Sequence, residues 1–161
     1  IEPELEARWV ARRAGPHAEV LQHVLRAFVD RGGPIAVDEI AAALQDRAPE
    51  AVREALTRLD EEDLIQIREG RVEVGYPFSA LPTPFVVRLA DGRERYACCA
   101  IDALGIAPML GRRVHIRSQC HHCGAPLELS ADPSGPGPEA QGVMVWVVKR
   151  TGGQRRIATS L

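Results

Sequence analysis

No apolar run in this chain is long enough to span a membrane; each is short and broken by charge. The N-terminus, Ile1–Glu2–Pro3–Glu4, is acidic and lacks the pattern of a secretory signal. The chain opens on Ile rather than Met, so a trimmed gene product is expected. Aromatic residues are scarce at 4%, and no internal repeat is visible. Cysteine is absent except at Cys98, Cys99, Cys120 and Cys123. A disulfide framework spreads its cysteines to staple distant loops, so this clustering excludes one. Together with the missing signal, it points to reduced thiols in a cytoplasm, available for metal binding or nucleophilic chemistry.

A length of 161 residues and 45% apolar content suit one compact domain or two small ones sharing a core. The formal net charge of −2 hides an asymmetry. Residues 1–80 hold 10 Arg against 16 acidic residues, net −6; residues 81–161 hold 10 Lys and Arg against 6, net +4.

The first half reads as helices followed by a hairpin. Leu5, Trp9 and Val10 suggest an amphipathic helix over 4–13. Val20, Leu21, Val24, Leu25 and Phe28 repeat near 3.6 and predict a helix over 17–31, ended by Gly32–Gly33. After a short extended piece at Pro34–Ile35, Asp38 is placed to cap a helix over 38–45. Pro49 opens another helix that would bury Val52, Ala55, Leu56 and Leu59. Leu64–Ile67 and Arg71–Val74 then predict two strands around a tight Glu69–Gly70 turn.

That layout is winged-helix-like over residues 1–75, and many such domains read DNA. A reading helix needs positive charge for phosphates. Here the candidate helix and its exit carry Glu50, Glu54, Asp60, Glu61, Glu62 and Asp63 against Arg53 and Arg58. An acidic reader repels the duplex. A packing module is therefore preferred, and nucleic acid is not an expected partner.

Residues 76–84 form a proline-punctuated linker, and 85–161 a β-rich domain. The whole is an α+β protein. Hairpin strands are expected at Phe85–Leu89 and Arg95–Cys98, around Asp91–Gly92. A helix is expected over Cys99–Leu104, limited by Gly105 and Pro108. Further strands are expected at Val114–Arg117 and Leu127–Ser130. Residues 131–142 read as a Pro/Gly-rich surface loop, and Val143–Val148 as a buried strand. Thr151–Gly152–Gly153 would turn into a last polar strand.

Cys99 and Asp102 are three residues apart at a strand-to-helix junction. Both side chains can share the first helical turn, where backbone N–H groups favour a thiolate. A thiolate beside a carboxyl group is a nucleophile or soft-metal ligand paired with a proton carrier. The plain alternative is an inert buried cysteine and a capping Asp. Cys120-His121-His122-Cys123-Gly124 resembles one knuckle of a zinc ribbon. A knuckle supplies two ligands where structural zinc wants four, so zinc is possible but not preferred. Cys98–Cys99 is not a second knuckle by spacing.

Several stretches resemble the alkylmercury lyases in order and spacing. They are Tyr76–Pro77, Pro82–Thr83–Pro84, Asp91–Gly92, Tyr96 through Leu104, Gly111–Arg112, Ser118–Gln119–Cys120 and Gly124–Ala125–Pro126. The resemblance covers residues 76–130 well and about 20–75 more loosely. It implies protonolysis of a carbon–mercury bond, giving Hg(II) and a hydrocarbon, with no resident cofactor. Cysteine thiolates would hold the organomercurial and an Asp would move the proton. Cys99 matches the first catalytic cysteine, Asp102 the aspartate, and Cys120 a further, structural cysteine. Cellular thiols or a mercury reductase would take the product. The family's second catalytic cysteine lies downstream, where this sequence has Arg155–Leu161 and no cysteine. Either the natural chain continues, or Cys98, Cys120 or Cys123 supplies the second thiolate, with Cys123 the better candidate of the loop pair. A non-catalytic soft-metal binder using Cys99, Cys120 and Cys123, and a metal-responsive regulator, are the alternatives.

Overall fold

The computed structural model describes residues 15–146. The expected helix over 4–13 and the last strand after Thr151 lie outside them. The chain divides into two units, Ile1–Gly75 and Tyr76–Leu161.

In the first unit the periodic apolar residues form helix α1, Ala18–Arg31, which buries Val20, Leu21, Val24 and Phe28. It stops where Gly32 takes a φ of 81°, a backbone that only glycine adopts without strain. Strand β1 (Ile35–Ala36) leads directly into helix α2 (Val37–Ala43). Asp38 is not its cap: the N-cap is Ala36, and no side chain caps it. Asp38 instead accepts two bonds from Arg53, at 3.1 and 2.9 Å. Helix α3 (Pro49–Glu61) opens on proline and buries Val52, Ala55, Leu56 and Leu59. Strands β2 (Ile65–Arg68) and β3 (Arg71–Gly75) form an antiparallel hairpin. Glu69 and Gly70 both have positive φ, 50° and 72°, as a two-residue turn matching strand twist requires. Strand β1 pairs with β3 through Ile35 and Val72. Phe28 is fully buried, and a Cβ at Gly75 would stand only 3.2 Å from its ring and from Val24. Helix α1 and strand β3 therefore come close at a residue without a side chain.

The second unit is an antiparallel sheet in the order β4–β6–β5–β7–β8–β9. Its strands are β4 (Phe78–Ser79), β5 (Val86–Arg88), β6 (Glu94–Ala97), β7 (Val114–Gln119), β8 (Pro126–Asp132) and β9 (Gly135–Pro136). Strand β4 lies inside the 76–84 segment and buries Phe78. Along β7, Val114 and Ile116 are buried while His115 and Arg117 are exposed, the alternation of a half-buried strand. The inward residues meet helix α4 (Ala100–Leu110), which buries Ala103, Ile106 and Ala107.

Three expectations are corrected here. Helix α4 runs past Gly105 and through Pro108 to Gly111, whose φ of 64° ends it. Pro108 removes one hydrogen bond near the C-terminal end, and the buried Ala103, Ile106 and Ala107 ahead of it keep the helix on the sheet. The 131–142 segment is not a plain loop: it completes β8, adds β9 and forms a 3₁₀ turn at Pro138–Ala140. Ser130, itself buried, donates to Glu139 at 2.7 Å and ties that turn to the sheet. Of the run 143–148, the described residues 143–146 form no strand, and Met144 and Trp146 are 74% and 86% exposed.

Candidate functional site

Strand β6 delivers two adjacent cysteines to the start of α4. Three bonds fix its exit. The Ala97 N–H donates to the Phe85 carbonyl at 2.9 Å and the Cys98 N–H to the Pro77 carbonyl at 3.0 Å. The Thr83 hydroxyl donates to the Ala97 carbonyl at 2.6 Å. Cys99 then takes an extended backbone, φ −151° and ψ 179°, as N-cap of α4. Successive side chains of an extended chain point to opposite sides. Cys98 accordingly enters the core, 4% exposed, while Cys99 stays half-buried at the helix mouth. The two neighbours therefore do not face one ion.

Asp102 is the third residue of the first turn. The Cys99 thiol donates to Asp102 Oδ2 at 2.9 Å, and the Asp102 N–H donates back to Cys99 Sγ at 3.5 Å. This is a reciprocal cap in which sulfur replaces the usual oxygen. Burial pushes the Cys99 thiol up to about 11, and its bond to the Asp102 carboxylate adds to the rise; the backbone N–H groups of Asp102 and Ile101 pull the other way. Burial also raises Asp102, opposed by the bonds from Cys99. Cys98 is pushed up by burial most of all, then by the neighbouring Asp102 and Cys99 charges. At neutral pH the pair thus retains a proton between sulfur and carboxylate. Such a pair can trade a thiol proton for a soft metal and return the proton to whatever the metal carries.

Cys120 and Cys123 sit apart from this pair on the loop joining β7 to β8. The loop is closed by Cys120 N–H to Ala125 O and Gly124 N–H to Cys120 O, both 2.8 Å. Backbone N–H groups of Cys123 and His122, and then the Cys123 thiol, donate toward the Cys120 sulfur and hold its pKa below the ordinary thiol value. All four cysteines are free thiols. Among the described residues, no three His, Cys, Asp or Glu side chains converge on a point where a metal ion could sit. The structure therefore pairs Cys99 with Asp102 and Cys120 with Cys123, with Cys98 held in the core.

Thr83 is the residue that the motifs did not single out for a role. Its hydroxyl holds the last carbonyl of β6 and accepts the Phe85 N–H at 3.2 Å. Its flanking prolines, Pro82 and Pro84, are the local signal of a fixed backbone there.

A family model described as alkylmercury lyase matches residues 78–161. An alkylmercury lyase of Staphylococcus epidermidis is 36% identical over 115 residues, covering 71% of this chain and 51% of that protein. One of Streptomyces lividans is 37% identical over 103 residues, covering 64% and 46%. The chain thus spans about half the length of these relatives. Among solved structures, the mercury-bound form of MerB2 matches with a TM-score of 0.63 at 22% identity, covering 75% of this chain and 58% of that one. The last is a likeness of fold. No helix among the described residues is long and apolar enough to cross a membrane.

Proposed function

The chain belongs to the alkylmercury lyase family, and from that premise we propose that it cleaves carbon–mercury bonds by protonolysis, with Cys99 as mercury ligand and Asp102 as proton carrier. The observation that carries this reading is the 2.9 Å bond from the Cys99 thiol to the Asp102 carboxylate. The substrate is an organomercurial carried on a small thiol. Cys99 Sγ bonds to mercury, the small thiol leaves as thiolate, and the Cys99 proton passes to Asp102. Mercury is soft and favours sulfur. The carbon then takes the proton from Asp102 together with the electron pair of the carbon–mercury bond. The hydrocarbon leaves, Asp102 is a carboxylate again, and Hg(II) stays on Cys99. Two external thiols remove it, restoring the Cys99 thiol and releasing one proton to water. Acid and acceptor sit within one helical turn, so the proton moves with little reorganisation. Cellular thiols or a mercury reductase are the acceptors in this reading, and the reaction needs no resident cofactor.

Residues 1–75 are, in the same reading, a winged-helix-like packing module rather than a DNA reader. Both arginines of α3 are engaged by acidic partners: Arg53 by Asp38 and Glu50, and Arg58 by Glu61. Residues 76–84 link it to the lyase-like domain at 85–161.

The test is benzene release from phenylmercury with excess thiol. The wild type is expected to release benzene, and the C99S variant to fall to the level of thiol alone. Wild-type protein that binds Hg(II) yet releases nothing would replace the lyase reading by a thiol-based metal binder.

A further inference from the structure

The lyase reaction above leaves Cys120 and Cys123 unused. We propose that they form a second, separate site, a dithiolate clamp for Hg(II) and other thiophilic ions that accept two-coordination. Its use as acceptor of the Hg(II) made at Cys99 rests on the lyase reading, whereas its capacity to bind does not.

The loop is built to present two sulfurs together. Strands β7 and β8 pair to their last residues, Gln119 with Pro126. Only six residues therefore cross between the strands, and two backbone bonds close them. Gly124, at a φ of 72°, makes the reversal that lets the chain return. The result brings the Cys123 thiol to the Cys120 sulfur, with two backbone N–H groups aimed at that same sulfur. Cys123 is exposed and Cys120 partly so, which leaves the pair open to an ion delivered from solution.

The number of ligands selects the ion. Structural zinc asks for four protein ligands, and among the described residues no third His, Cys, Asp or Glu side chain, those of His121 and His122 in the same loop included, joins the two cysteines in a group that could hold a metal ion. A soft ion content with two thiolates has what it needs. Delivery balances as a thiol exchange. An Hg(II) bis-thiolate of a small cellular thiol gives up both small thiols as two sulfur–mercury bonds form to Cys120 and Cys123. Each cysteine proton leaves on one departing thiol, and nothing is oxidised or reduced.

The experiment uses the full chain carrying C99S, so that the lyase pair is out of play. Inorganic Hg(II) is supplied as its bis-glutathione complex, and binding is read by native mass and by the sulfur–mercury charge-transfer absorption. One Hg(II) per chain is expected. Adding C123S should weaken binding roughly 10²-fold or more, because a tethered second ligand acts at high effective concentration. Adding C120S as well should abolish it. Unchanged stoichiometry and affinity in the triple variant would overturn the proposal. So would a dimer holding one zinc between two chains, since four-coordinate zinc would then be the preferred ion. Failure of wild-type benzene release bears on the lyase reading alone and leaves this titration unaffected.

Discussion

Replacing Asp102 by Asn slows benzene release from phenylmercury by about 10²–10⁴-fold, the usual worth of a positioned proton donor, and at the same time speeds alkylation of Cys99. The two effects have one cause. The thiolate is the species that an alkylating agent attacks. With its thiol near 11, held there by burial first and by Asp102 second, Cys99 is ionised in roughly one molecule per thousand at pH 8. The alkylation rate of the wild type should climb about tenfold per pH unit until the pH approaches that value. Asparagine replaces the charged acceptor by a neutral amide, so the Cys99 pKa falls and the rate at pH 8 rises. Iodoacetamide labelling resolved by peptide mass separates Cys99 from the exposed Cys123. Cys98 serves as the control for folding, since it reacts only if the core opens. Benzene release within about threefold of wild type would reduce Asp102 to a helix-capping residue.

Phe28→Ala should cost about 3–5 kcal/mol, the range for emptying a buried aromatic site. Phe28 is fully buried on α1, and its ring, together with Val24, is what a Cβ at Gly75, at the end of β3, would meet. Truncation leaves a hole between a helix and a strand that are each tied elsewhere, Gly75 to β2 and α1 to its own turns. Collapse can therefore recover little. Domains of this size are stable by only about 5–15 kcal/mol, so the loss should move the urea midpoint far to the left at unchanged slope. Arg58→Ala is the comparison. Its ion pair with Glu61 joins two exposed side chains on one helix, and such pairs contribute about 0.5 kcal/mol or less. Equal midpoints for the two variants would show that Phe28 does not hold α1 to the hairpin.

The helices of the first unit were legible because their apolar residues repeat at 3.6 and nothing distant competes. Val52, Ala55, Leu56 and Leu59 are buried as their spacing predicts. The Glu69–Gly70 turn was legible from its two residues alone. Where a side chain answers to a distant partner, local pattern failed. Asp38 looked like a cap, yet α3 presents Arg53 to it. Glu139 sat in what read as loop, yet it binds Ser130 on β8. Pro108 looked like a stop, but the buried Ile106 and Ala107 beside it secure the helix through to Gly111. The Cys99–Asp102 pairing followed from i, i+3 geometry, and the chemistry proposed for it from family resemblance. Which of the two adjacent cysteines faces Asp102 depends on how the end of β6 is pinned. The pinning contact from Thr83 crosses 14 residues of sequence, beyond any local signal.

The cap of α4 has a meaning beyond geometry. Sulfur accepts the Asp102 N–H at 3.5 Å, longer than an oxygen would, and serine is among the best residues for this position. The chain therefore begins α4 with a weaker anchor than its backbone could take. C99S should melt no lower than the wild type, and somewhat higher if the hydroxyl closes the turn. Any loss of turnover in that variant would then report on chemistry rather than on damage. The same comparison would mark position 99 as one where selection for reactivity has prevailed over selection for robustness, a compromise expected at working sites.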